Sequence, residues 1–114
     1  MLNPKPGEIW LVRFPFSDLT STKVRPALVL ATHRQDVIIL GIFSKIPSGI
    51  SEKTWVLIDD CQNYFTQTGL VKTSILRAEK IATAHQSTFQ RALGAIPKEL
   101  QSKITIALQQ ALNL

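Results

Sequence analysis

A chain of 114 residues has room for one domain and one core, and 45% hydrophobic against 18% charged residues excludes disorder. The 13 Lys+Arg against 8 Asp+Glu leave a net charge of +5 and a pI near 9.7, so a polyanion or an acidic protein is the expected partner. Residues 1–16 lack a signal peptide's order of basic, apolar and small-residue regions, and no apolar run nears the ~20 residues that span a bilayer, so cytoplasmic residence is expected.

In chain order, Ile9 to Val12 with Phe14 forms a first strand-like run and Ala27 to Leu30 a second. Between them lies a polar loop carrying Ser17, Asp18, Thr20, Ser21, Thr22 and Lys23. Pro26 biases Arg25 toward an extended conformation, which places the guanidinium at a strand mouth. A planar fork of donors there suits a phosphate, although a salt bridge to Asp18 or Asp36 is the plainer use. Asp36 to Ser44 reads as a third strand and Thr54 to Ile58 as a fourth. Pro47, Ser48 and Gly49, set among Lys45, Glu52 and Lys53, mark a solvated loop between those two.

Asp59 to Thr68 is expected as a short helical turn or irregular connection. Ser74 to Arg77 and Lys80 to Ala84 read as two short strands with a break near Ala78, and one more follows near Phe89 to Ile96. Pro97, tolerated at a first helical position, opens a helix in which Leu100, Ile104, Ala107, Leu108, Ala111 and Leu112 recur on one face. Short strands ending in one amphipathic helix predict a mainly β fold: an SH3-like small β-barrel with a C-terminal α-helix packed on it.

Metal chemistry and cofactors are not expected. Cys61 has no second thiol or clustered histidine beside it, and the isolated His33 and His85 read as surface or satisfied core residues. Ser44 and Lys45 end an apolar strand with a hydroxyl and an ammonium, a pair able to hold a phosphate or simply to face solvent. Thr73, Arg77 and Glu79 fall within one short stretch. Alternation sends Arg77 and Glu79 to one face, with Ser74 and Leu76 opposite, unless the break near Ala78 spoils the register. A cation beside a base could work on one phosphodiester; an exposed ion pair of little worth is the plain alternative.

Pro6-Gly7-Glu8-Ile9-Trp10-Leu11-Val12, a short loop and then Arg25-Pro26-Ala27-Leu28-Val29-Leu30 resembles the opening of the MazF/PemK family, the ribonuclease toxins of bacterial type II toxin–antitoxin pairs. Ile42-Phe43-Ser44 resembles the family's third-strand motif and Gly69 to Thr83 its later strand pair, so the resemblance spans most of the chain. It implies the toxin-type barrel, a homodimer, and metal-independent cleavage of single-stranded RNA to 2′,3′-cyclic phosphate and 5′-hydroxyl ends, which inhibits translation and growth. It also implies a small acidic antitoxin that lies in the basic groove.

The catalytic residues implied are Arg25, Ser44, Arg77 and Glu79, and those expected to touch RNA are Ser17, Asp18, Lys23, Lys45 and Thr73. Glu79 stands where the PemK branch has the aspartate of its Arg-x-Asp acid–base pair. Phe43-Ser44 replaces the usual Thr-Ser or Thr-Ala, which makes Ser44 the substitute hydroxyl by adjacency. The hairpin loop lacks the Ser-Glu-Gln run of many members, leaving Asp18 as its only carboxylate. Trp10, Phe16 or Phe43 could stack bases if exposed, core burial being the simpler fate. Two rivals share the fold. One is a non-catalytic relative that keeps the antitoxin surface; the other is a gyrase-targeting, CcdB-like toxin, whose helix ends Trp-Gly-Ile where this chain ends Ala111-Leu112-Asn113-Leu114.

Overall fold

A computed structural model describes residues 3–13 and 23–114. Six strands alternate apolar residues between two faces: β1 (Glu8–Arg13), β2 (Val24–His33), β3 (Asp36–Phe43), β4 (Trp55–Ile58), β5 (Ser74–His85) and β6 (Phe89–Ala95). A 3-10 helix, Asn63–Thr68, precedes β5, and α1 (Lys98–Leu112) closes the chain. The strands pair antiparallel in the order β4-β5-β3-β2-β1-β6.

Both faces bury apolar side chains. On one, Ile9, Leu28, Leu40, Leu76 and Val56 pack with Leu100, Ile104 and Ala107 of α1. On the other, Trp10, Val12, Ala27, Val29, Ile39 and Phe89 form a second cluster, in which the Trp10 and Phe89 rings meet edge to face with centroids 5.8 Å apart. The helix-side stripe is therefore consumed internally except for its last residue, Leu112, which is exposed. Among the other large apolar residues left exposed are Ile106 on α1 and Leu57 on β4, each more than half accessible.

The sheet does not close into the expected barrel: among the described residues no ladder joins β4 to β6. The 3-10 helix packs on β6 instead, and α1 packs on β4 and β5. That packing depends on two glycines. A Cβ on Gly94 would run into the Gln67 carbonyl, and one on Gly69, whose φ is +72°, into the Leu93 backbone. The two short strands expected around Ala78 are one strand, β5, because a register shift against β3 between Leu40 and Gly41 absorbs the break as a bulge. Pro97 also sits one place earlier than expected. Its ψ of 140° is extended, so it is the residue before the helix, and Lys98 is the first helical position. No described helix is long and apolar enough to cross a membrane.

Candidate active site

Arg25 is the second residue of β2, and Pro26 after it keeps the backbone extended. From there its guanidinium carbon lies 5.5 Å from the centroid of the Phe43 ring, on the neighbouring strand. Arg77 enters from the other side. It pairs with Trp55 of β4 and with Gly41 of β3; because Gly41 brings no side chain, Arg77 has room to lean across to Phe43 two residues on. Its guanidinium carbon lies 5.5 Å from the Phe43 centroid and 5.2 Å from that of Trp55. One aromatic ring thus serves two cations, each held by attraction to a π face.

Glu79 fixes this arrangement. Its Oε2 accepts from Arg77 Nε at 2.7 Å and from Trp55 Nε1 at 3.2 Å, while its Oε1 accepts from the Thr54 hydroxyl at 2.7 Å. Partial burial pushes the carboxyl pKa up, but hydrogen bonds from Thr54, from its own backbone, from Arg77 and from Trp55 more than offset it, so the group titrates below its ordinary 4.5. The ion pair is about one-third exposed and contributes little to stability. Its effect is geometric: with Nε committed, Arg77 keeps its terminal nitrogens free of hydrogen bonds among the described residues, and Arg25 makes no ion pair there.

The structure brings Arg25, Arg77 and Glu79 together, bulge notwithstanding, and adds Thr54, Trp55 and Phe43 to them. Ser44 does not join them. Strand alternation past Phe43 turns it, like Ile42, to the sheet's other side, away from Arg77 and Glu79, where both line a cavity that Arg25 also borders at the mouth of β2. Thr73 has a structural task, accepting the Asp60 amide at 3.0 Å. Lys23 and Lys45 are exposed just outside β2 and β3. Ser17, Asp18 and Phe16 lie outside the described residues. Trp10 is buried, which leaves Phe43 and Trp55, both half-buried, as the aromatic faces of the site. His85 accepts the Ser87 amide at 3.1 Å through Nδ1 and is exposed.

Thr54 and Trp55 escaped the sequence reading because they reach Glu79 from 25 and 24 residues away, through the β4–β5 ladder alone. The one signal for them was a polar–aromatic pair opening an otherwise aliphatic strand. Among the described residues a single group of metal-type ligands converges: Asp59, Asp60 and Cys61. Its thiol is exposed and pushed up, first by the Asp59 charge and then by the Asp60 carboxylate.

A sheet that presents two arginines and a carboxylate on one aromatic shelf has the chemistry of phosphodiester recognition, and the family model for PemK-like, MazF-like toxins of type II toxin–antitoxin systems matches residues 5–112. The chain belongs to that family. Solved structures share its fold: an endoribonuclease in complex with its cognate antitoxin from Mycobacterial species is 22% identical at a TM-score of 0.74, covering 98% of this chain and 97% of that one. Mycobacterium tuberculosis toxin MazF-mt6 is 19% identical at 0.74, covering 94% and 97%, and MazF from Deinococcus radiodurans 17% identical at 0.70, covering 97% of both. Comparison with curated proteins found no match.

Proposed function

We propose that this chain is a metal-independent endoribonuclease toxin that cuts single-stranded RNA to 2′,3′-cyclic phosphate and 5′-hydroxyl ends and so inhibits translation and growth. The observation that carries this is the convergence of Arg25 and Arg77 on the Phe43 ring, beside an ionised Glu79. RNA supplies its own nucleophile. A 2′-hydroxyl that displaces the Thr54 hydroxyl from Glu79 Oε1 gives up its proton there; the 2′ oxygen then attacks phosphorus, and the departing 5′ oxygen is protonated by water. The two guanidiniums stabilise the charge that builds on the phosphorane. In excess EDTA, purified protein should cut RNA, and end-group analysis should find cyclic phosphates.

A second reading has its own observation: Phe43 stands where the family pattern has a catalytic threonine. A folded protein that leaves RNA intact after prolonged incubation would favour the non-catalytic relative. Under either reading the partner is a small acidic antitoxin, supported by the net charge of +5 and by the antitoxin complex of one structural neighbour. Exposed Leu57 and Ile106 support a symmetric homodimer. Light scattering at micromolar concentration should give twice the chain mass, and a monomer with undiminished specific activity would remove any need for a second subunit.

A further inference from the structure

At the mouth of β2, where the sheet's other side meets Arg25, the described residues form a cavity of about 330 Å³. Leu11, Leu70 and Leu93 supply apolar surface, the exposed Lys72 and Arg91 supply positive charge, and among the described residues no carboxylate lines it. Neither cation has an ion-pair partner among the described residues. Arg25 belongs to both places: it lines this cavity and sits on the Phe43 ring. The volume falls at the small end of the ~300–1,000 Å³ typical of ligand sites, which suits one nucleotide unit.

We propose that the cavity holds the nucleotide next to the scissile phosphate. The base lies on Leu11, Leu70 and Leu93, and its own phosphate sits between Lys72 and Arg91. Apolar surface tolerates any base face, whereas two exposed cations select the backbone. Arg25 connects the cavity with the aromatic shelf, being the shelf residue that also borders the cavity. The proposal rests on the RNA-cleaving reading for its biological meaning, but the site itself is testable without turnover.

The four 5′-ribonucleoside monophosphates, with inorganic phosphate as control, should be titrated into the intact protein and followed by amide chemical shifts. Shifts at Leu11, Lys72, Arg91 and Leu93, weaker with phosphate alone and reduced about tenfold in affinity by the double variant Lys72→Ala/Arg91→Ala, are expected. Shifts confined to Arg25, Phe43 and Arg77 would overturn the proposal. In cleavage assays the double variant should raise KM about tenfold with kcat within twofold, the signature of lost uniform binding. Wild-type cleavage with an unchanged KM in the variant would sink the cavity site and leave the nuclease standing. Cavity shifts in a protein that never cuts RNA would uphold the site and sink the nuclease.

Discussion

Strands β2, β3 and β5 each face two ways, and the two faces have been given different work. Toward α1 they present Leu28, Leu40 and Leu76, all nearly inaccessible; away from it, near one end, they present Arg25, Phe43 and Arg77. Because alternate residues along a strand point opposite ways, the charged shelf takes nothing from the helix-side core. The opposite face is itself divided, the cluster around Trp10 and Phe89 being closed to solvent while the shelf stays open. Stability and chemistry should therefore separate by mutation.

Arg25→Ala tests that separation with the largest expected effect. On the proposed reading its guanidinium meets the charge on the phosphorane, and it packs on the exposed-side ring of Phe43, not in the helix-side core, so cleavage should fall ~100-fold or more while the melting temperature barely moves. Arg25→Lys should recover only part of the loss, since an ammonium lacks the fork. A variant that melts several degrees lower at unchanged rate would mean that the residue serves the fold.

The converse comes from the helix face. Leu100 is 1% exposed, and Leu100→Ala should cost ~2–5 kcal/mol in denaturant unfolding with the rate per folded molecule unchanged. If the rate falls in step with stability, the two faces are coupled and the division drawn above fails.

The fold was legible where one residue's burial is set by its neighbours in sequence. Short continuous apolar runs located β1 to β3, and the recurrence of Leu100, Ile104 and Ala107 located α1. The bulge in β5 was not legible, because a register shift is a property of two strands and only the pairing with β3 creates it. The candidate site divides along the same line. Arg25 and Arg77 stand out as charges on apolar strands, but the ring that joins them read as a lost hydroxyl, and Thr54 and Trp55 acquire meaning only once β4 lies against β5. Ser44 was chosen for being adjacent to Phe43, and adjacency on a strand is what sends it to the other side.

The smallest effect tests whether Glu79 is the base or only the anchor of Arg77. Folding lowers its pKa, so its contribution to stability is present above the unfolded value near 4.5 and is lost as pH falls through the lower folded value; at one-third exposure that loss is small. The same ionisation should show as an acidic limb of the pH–rate profile below 4.5. Glu79→Gln should remove the limb and slow cleavage while RNA binding holds. Thr54→Val is the finer probe. It deletes the Oε1 hydrogen bond, the foremost of the lowering influences, so the limb should move to higher pH with only a modest change in the neutral-pH rate. If Thr54→Val leaves the limb in place and Glu79→Gln retains it, the carboxylate never takes the proton, and its role reduces to holding Arg77 Nε so that the remaining guanidinium nitrogens face the phosphate.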